Sequence, residues 1–283
     1  YAISFFGESG AEIIYPDPGF PIYESMINFT GAKAIPYDMT KNKDFSINPD
    51  TILSLINEKT RLLILNNPHN PTGGFAEKHV IDKLANRLKK FPDLAILSDE
   101  VYDRLIFDEK EIPTLLNYPD LYDKLIILNG WSKTYAMTGW RLGWGVWPES
   151  LIEHVFKFCV NNHSCVNAAA QYGAIAALDG PEDHLNSMRN EFAIRRKLIF
   201  DGLNSLKGVN CNLPGGSFFI FPDVKNTGMN GEEFFQKCLQ DAGVVTIPGT
   251  AFGKFAVHNV RLNFATSREN ISKAIEKIDK ILH

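Results

Sequence analysis

The sequence predicts an α/β fold: a large domain with a three-layer, mostly parallel sheet, followed by a smaller α+β domain. Two observations lead to this prediction. Short runs that are almost entirely apolar alternate with amphipathic helical patterns, which is typical of parallel strands covered by helices on both faces. A long charged helical pattern then ends the alternation, and strands and helices follow in a different order. We therefore expect two domains, at residues 1–182 and 183–283.

The elements of the first domain follow from hydrophobic periodicity and from helix-capping residues. The clearest helix start is Asn48 before Pro49, because asparagine caps helices and proline is favoured at the first helical position. Apolar runs of four to six residues indicate strands, and apolar spacing of three and four indicates helices. The predicted strands are 12–15, 32–37, 61–65, 94–98 and 125–128, and the predicted helices are 22–29, 49–57, 77–90, 149–161 and 168–178.

The second domain begins with the long charged helix. Gly180 and Pro181 break the preceding helix, and an amphipathic pattern then runs over 183–206. This helix leads into a smaller unit whose strands and helices are mixed. The predicted strands there are 217–221, 244–247 and 259–264, and the predicted helices are 232–241 and 268–281.

Composition narrows the function classes. The chain has 283 residues, 45% of them hydrophobic, and a formal net charge of −4 without long basic runs, so we expect no nucleic-acid partner. No apolar stretch has membrane-spanning length, which predicts no membrane partner. The four cysteines and seven histidines show no spacing typical of metal ligands, so no metal is predicted. A reducing cytoplasm is the simplest expected location.

Polar motifs follow four of the predicted strands. In an open parallel sheet, ligands bind beyond the carboxyl ends of the strands, so these motifs should meet at one edge. Taken singly, each motif has an ordinary explanation as a turn or a helix cap. Four at one edge indicate a site instead. They are the segments 16–20, 66–73, 99–102 and 131–133.

Lys133 and Arg141 stand eight positions apart in the segment WSKTYAMTGWRLG. An amine among aromatic side chains loses hydration, which lowers its pKa and makes it a nucleophile able to form a Schiff base. An arginine nearby suits the phosphate of an aldehyde bound to that amine. The alternative for the pair alone is a surface lysine followed by a structural arginine.

The four motifs together match the needs of pyridoxal phosphate. This cofactor requires a lysine for its aldehyde, a carboxylate at its pyridine nitrogen, donors to its phenolate oxygen and a flat surface against its ring. Asp99 is the candidate carboxylate, Asn70 and Tyr102 are the candidate donors, and Phe20 is the candidate stacking ring.

With these residues in view, the sequence resembles the fold type I, aspartate aminotransferase-like family of pyridoxal phosphate enzymes, also called class I and II aminotransferases. The family pattern around the lysine is matched over 132–143, N-P-x-N-P-T-G over 67–73, and D-E-x-Y over 99–102. The segments 248–253 and 261–265 resemble the end of the family's sequences. The resemblance therefore covers the whole chain.

The resemblance implies a transaminase that moves an amino group from an amino acid to a 2-oxo acid through a Schiff base on Lys133. In such an enzyme Lys133 also moves the proton between Cα and the cofactor, Arg141 binds the phosphate, and Arg261 binds the substrate α-carboxylate with Asn70. Alone, Arg261 would be explained as a strand-end arginine in a surface ion pair. Ser132 and Gly130 are the remaining predicted cofactor contacts, Gly130 standing where many relatives have a phosphate-binding serine.

Several further expectations come from the same resemblance. Family members are homodimers with active sites at the interface, so Ser164 and Asn167 are candidates to act in the neighbouring subunit. About a quarter of a family-length chain, with a phosphate-binding turn, is expected to precede Tyr1. The 283-residue chain is accordingly expected to bind the cofactor weakly or without turnover.

Three questions stay open on the sequence alone. A carbon-sulfur lyase of the same fold would use the same cofactor residues. An aminotransferase-like sensor domain attached to a DNA-binding winged helix would also use these cofactor residues. Among transaminases, aspartate, alanine, aromatic amino acids and kynurenine are all candidate donors.

Overall fold

The computed structural model describes residues 1–108 and 111–283. The first part of the chain forms a six-stranded sheet in the order β2-β1-β3-β4-β5-β6, parallel except for β6, which runs antiparallel to β5. The predicted fold class is confirmed. The strands are β1 Glu12–Asp17, β2 Lys33–Asp38, β3 Thr60–Asn66, β4 Ala95–Asp99, β5 Leu125–Gly130 and β6 Gly143–Val146.

Helices cover both faces of this sheet. In β3, Leu62 and Ile64 face one hydrophobic core, whereas Leu63 and Leu65 face the other. Because neighbouring residues of a strand point to opposite faces, a strand buried on both sides is apolar throughout. The helices of this part are α1 Ala2–Phe6, α2 Ile22–Phe29, α3 Pro49–Leu53, α4 Lys78–Leu88, α5 Trp131–Thr134, α6 Ile152–His163 and α7 Ala168–Asp179.

The second part begins with the long helix and has a separate hydrophobic core. Its small sheet is antiparallel, in the order β7-β9-β8. Ile199 and Leu203 of the long helix pack in this core with Phe234 and Phe264. The elements are α8 Asp183–Ser205, β7 Phe219–Ile220, α9 Gly231–Lys237, β8 Ile247–Pro248, β9 Val260–Asn263 and α10 Arg268–Leu282.

Two predicted elements are shorter in the structure than expected. The helix expected over 49–57 stops at Leu53, because short polar side chains beyond it bind backbone: Ser54 Oγ donates to the Thr51 carbonyl, and Asn57 Oδ1 accepts from the Lys59 amide. The strand expected over 217–221 is limited to Phe219–Ile220, since Ser217 has a positive φ of 60°.

The strand expected over 244–247 is displaced to Ile247–Pro248. A single π-helical turn, Cys238–Ala242, follows α9 and ends at Gly243, whose φ is 62°. The Val244 amide then donates to the Cys238 carbonyl, closing the helix end instead of joining a strand.

The short elements α5 and β6 were not predicted. Both have only four residues, and β6 contains Gly143 and Gly145, which weaken any strand signal. In residues 1–108 and 111–283, no helix combines the length and the apolar character that crossing a membrane requires.

Candidate active site

The register of the large sheet brings the predicted polar motifs together. Asn66, the last residue of β3, pairs with Asp99, the last residue of β4, and Asp99 pairs in turn with Leu128 of β5. The loops that follow these three strands therefore start side by side at the carboxyl edge. Their side chains form the site described below.

Asp99 is buried at this edge, with 6% of its surface exposed. The Tyr23 hydroxyl donates to its Oδ2 at 2.5 Å, and the Val101 amide donates to its Oδ1 at 3.2 Å. Burial raises the pKa of the Asp99 carboxyl, and the Tyr23 hydrogen bond opposes that shift. The carboxylate is thus held in one orientation and stabilised by hydroxyl and amide donors.

Tyr23 is a site residue that the sequence prediction missed. It lies on α2 and is buried together with Ile27, one helical turn further on. The ring of Phe20 packs edge-on against the Tyr23 ring, with 5.7 Å between the centroids. Phe20 therefore packs against the residue that contacts Asp99. The sequence signal that could have identified Tyr23 is its position on the buried face of α2.

Lys133 lies on α5, directly after β5. Its Nζ is 5.7 Å from the centroid of the Phe218 ring. Burial lowers the pKa of the Lys133 amine, the positive charges of Arg141 and Arg261 lower it further, and Asp99 opposes them. Within the described part of the chain, no carboxylate forms an ion pair with this amine. A lysine in this setting is a nucleophile.

Arg261 and Asn70 form the opposite end of the site. The guanidinium of Arg261 lies over the rings of Phe219 and Phe252, 4.4 and 4.5 Å from their centroids. Its Nη1 donates to Asn70 Oδ1 at 3.0 Å. Burial lowers the pKa of Arg261, although the group remains a cation at any physiological pH. With one N–H group bonded to Asn70, the guanidinium keeps further donors in its plane, which suits a carboxylate.

Tyr102 lies between these two ends. Its side chain is 4% exposed, and its ring packs edge-on against the rings of Phe218 and Phe219. Burial raises the pKa of Tyr102 well above its ordinary value, and the Asp99 charge adds to the shift. The hydroxyl consequently stays protonated and can donate a hydrogen bond.

Arg141 lies in a tightly bent segment. Arg141 and Ala136 have φ values of 57° and 53°, a left-handed conformation that costs energy for residues other than glycine. The Arg141 side chain is exposed, and its Nη1 donates to the Thr138 carbonyl at 2.9 Å. It lines a cavity of about 980 Å³ together with Asn167. Ser164, the other residue predicted to act in trans, ends α6 with a φ of 61°.

Gly130 has a packing explanation besides its predicted phosphate contact. A Cβ on it would lie 2.8 Å from the Leu142 carbonyl oxygen, because β5 passes close to the chain entering β6. Its amide donates to Asn129 Oδ1 at 2.7 Å, so a phosphate would have to replace that bond. Ser132 is partly buried on α5. The phosphate contacts of Gly130 and Ser132 stay predictions.

Glu100 follows Asp99 at the carboxyl edge of the sheet, and its buried carboxyl group makes the stability of the fold depend on pH. It is 5% exposed, and Ser98 Oγ and Thr114 Oγ1 each donate to its Oε1 at 2.9 Å. Burial raises the pKa of the Glu100 carboxyl from 4.5 to about 7. Between these values the folded protein binds more protons than the unfolded chain, so stability falls as pH rises.

We expect the free energy of unfolding to drop by roughly 3 kcal/mol between pH 4.5 and pH 7 through Glu100. Denaturant titrations of the protein and of Glu100→Gln at several pH values measure this. The Gln variant should lack that part of the slope, whatever its absolute stability. If the free energies of unfolding of the two proteins changed with pH in the same way, Glu100 would not be the group responsible for the drop.

The donor set fits pyridoxal phosphate. It contains a desolvated lysine without an ion-pair partner among the described residues, a buried carboxylate, a protonated tyrosine and two arginines. These are the groups required for an aldehyde, a pyridine nitrogen, a phenolate oxygen and two anions. Lys133, Asp99 and Tyr102 lie in one region with Arg261, as their mutual effects on pKa indicate.

Comparisons with known proteins give a consistent result. The model of the family "Aminotransferase class I and II" matches residues 1–278. The chain is 35% identical to the aspartate aminotransferase of Pyrococcus abyssi, an alignment covering 99% of this chain and 72% of that protein. The crystal structure of the aromatic aminotransferase from Pyrococcus horikoshii OT3 matches 99% of this chain and 75% of its own with a TM-score of 0.94 at 34% identity. The alanine aminotransferase from Pyrococcus furiosus matches with a TM-score of 0.89 at 30% identity, covering 99% of this chain and 73% of its own.

Proposed function

Because the chain belongs to the class I and II aminotransferases, we propose that Lys133, Asp99 and Arg261 each have a separate role in amino-group transfer. Membership confirms the predicted reaction class and the predicted dependence on pyridoxal phosphate. The substrates of this reaction are an amino acid and a 2-oxo acid. The observation that carries the assignment of roles is the position of the partly buried Lys133 on α5, which directly follows β5, the strand that pairs with Asp99.

Pyridoxal phosphate, when bound, supplies a reactive aldehyde and an electron-withdrawing ring. In our proposal Lys133 binds the aldehyde, and its Nζ, once released, takes the proton from the substrate Cα. Asp99 accepts a charge-assisted hydrogen bond from the pyridine nitrogen, while Tyr102 and Asn70 donate to the phenolate oxygen. Phe20 covers the ring, and Arg141 binds the phosphate together with Ser132 and the backbone at Gly130.

Arg261 holds the substrate α-carboxylate in the same proposal. The two aromatic rings and the contact to Asn70 keep its guanidinium in one plane, so a bound carboxylate is oriented as well. Orientation matters because bound pyridoxal phosphate would activate one of the bonds to Cα, and the position of the carboxylate on Arg261 would select which one. Arg261 thereby determines that the Cα–H bond faces Lys133.

We expect Arg261→Ala to raise the KM for the amino donor and to lower kcat/KM by about 10²- to 10³-fold, because a partly buried bidentate partner is lost. Steady-state kinetics measure both effects. Arg268→Ala is a matched control, since Arg268 pairs with Glu191 on the surface of the small domain. Equal effects of the two substitutions would contradict the proposed role of Arg261.

The names of the relatives support aspartate as the first donor to test, with aromatic amino acids and alanine next. A ¹⁵N-labelled donor incubated with 2-oxoglutarate and the protein tests the reaction. We expect the label in glutamate. In a parallel incubation a ¹⁵N-labelled S-alkylcysteine, which carries the C–S bond that the alternative lyase cleaves, replaces the donor. Release of its label as ammonia, together with pyruvate and a thiol and without labelled glutamate from either substrate, would contradict transamination by this chain.

The domain boundary and the assembly are parts of the same proposal. Separate cores on the two sides of residue 183 support domains at 1–182 and 183–283.

Exposed apolar side chains on α6 and α7 support a homodimer. They include Phe156 and Tyr172, which are 68% and 75% exposed. In that dimer Ser164 and Asn167 would face the partner's site. Four free cysteines support a cytoplasmic location.

A further inference from the structure

Asn66 makes two hydrogen bonds that link separate parts of the site. It is the last residue of β3, with only 2% of its surface exposed. Its Nδ2 donates to the backbone carbonyl of Asp99 at 3.0 Å, and its Oδ1 accepts from the backbone amide of Asn70 at 2.9 Å. The Asn66 side chain thus donates one hydrogen bond and accepts another, and the two bonds go to different segments.

The connection continues to the other end of the site. Asn70 Oδ1 accepts from Arg261 Nη1 at 3.0 Å. One hydrogen-bonded series therefore runs from the backbone of Asp99 through Asn66 and Asn70 to the guanidinium of Arg261. Its first member lies in the large sheet, and its last member lies on β9 of the small sheet.

We propose that Asn66 is a positioning residue that fixes the substrate-carboxylate end of the site relative to the pyridine end. It acts by holding the Asn70 backbone, so that the Asn70 side chain meets Arg261 in one geometry. This inference rests on the proposed role of Arg261 as the holder of the α-carboxylate. Asn66 itself touches neither substrate nor cofactor in this account.

Other side chains cannot reproduce this link. Aspartate would place an oxygen against the Asp99 carbonyl and add a buried charge, which is unfavourable. Serine offers one short hydroxyl and reaches one partner at most. Alanine leaves the Asn70 amide and the Asp99 carbonyl without this partner, and the loop carrying Asn70 is then free to shift.

The neighbouring residue Asn67 is a matched control. It is also buried, with 5% of its surface exposed, and it follows Asn66 directly. Its Oδ1 accepts from the Ala76 amide at 2.9 Å, and its Nδ2 donates to the Ala76 carbonyl at 3.4 Å. The Asn67 side chain thus makes the same number of hydrogen bonds as that of Asn66, but both go to Ala76 in its own loop. The Asn67 backbone amide donates to the Asp99 carbonyl at 3.2 Å, a bond that either alanine substitution leaves in place.

The test compares Asn66→Ala with Asn67→Ala. Both should lower the melting temperature by similar amounts, because each leaves two buried backbone groups without a side-chain partner. Only Asn66→Ala should raise the KM for L-aspartate, on the order of ten- to a hundredfold, with a smaller change in kcat. Asn66→Leu, which has nearly the shape of asparagine and can make neither bond, serves if the alanine variant does not fold.

A crystal structure of each variant gives a readout that is independent of turnover. We expect the Arg261 Nη1 to Asn70 Oδ1 contact to be lost in the Asn66 variant and kept in Asn67→Ala. Equal KM changes in the two variants, or an intact contact in the Asn66 variant, would overturn the inference. The crystallographic comparison needs no turnover, so it tests the role of Asn66 separately from the proposed function, including in the case that the 283-residue chain binds the cofactor without turnover, as the sequence predicts.

Discussion

Lys133→Ala should lower the rate of amino transfer by at least about 10⁴-fold, the largest effect expected in this protein. The substitution removes both the amine that binds the cofactor aldehyde and the base that takes the Cα proton. In the described part of the chain, Lys133 is the lysine whose pKa Asp99, Arg141 and Arg261 all influence. Steady-state rates, together with the absorbance of the protein–cofactor mixture, measure the loss.

Lys124→Ala is a suitable control for this experiment. Burial lowers the pKa of Lys124 as well, and its Nζ donates to the Leu88 and Phe91 carbonyls at 2.8 and 2.6 Å. It lies at the start of β5, at the opposite edge of the sheet from Lys133. The control should keep its turnover, and a Lys133→Ala variant with undiminished activity would contradict the account.

Asp99→Asn should lower kcat by about 10²- to 10³-fold. The amide has nearly the shape of the carboxylate and can still accept from Tyr23, but it carries no charge to stabilise a protonated pyridine nitrogen. Electron withdrawal from Cα then weakens. We expect cofactor binding to persist and the proton-transfer step to slow, which single-turnover kinetics with Cα-deuterated substrate resolve as an increased isotope effect.

Tyr23→Phe separates charge from geometry at the same position. It removes the hydroxyl that donates to Asp99 Oδ2 at 2.5 Å but leaves the carboxylate in place. Its effect on kcat should therefore lie well below that of Asp99→Asn. If Tyr23→Phe lowers kcat as much as Asp99→Asn does, the orientation of the carboxylate alone explains the effect of Asp99. The proposed electrostatic role is then wrong.

Local sequence order was sufficient to predict the fold class and the edge of the sheet at which the candidate site residues meet. Apolar runs place strand ends, and the residues immediately after them, such as Asp99 and Lys133, must lie at the carboxyl edge of a parallel sheet. The structure does bring these two residues together with Asn70, Tyr102 and Arg261.

What the sequence could not reveal depends on contacts between distant segments. Tyr23 acts on a carboxylate 76 positions away, and Asn66 meets Asp99 through strand register. Neither partner can be read from neighbouring letters. The strand Gly143–Val146 escaped prediction because it is short and rich in glycine, and its closeness to Gly130 supplies a packing reason for that glycine.

The central claim is that Lys133 is the amine that holds pyridoxal phosphate. The most direct measurement is reduction of the protein–cofactor mixture with borohydride, which makes an imine bond permanent, followed by digestion and mass spectrometry. We predict one phosphopyridoxyl group, on the peptide that contains Lys133. Its attachment to a different lysine, or no attachment with cofactor in excess, would contradict the account.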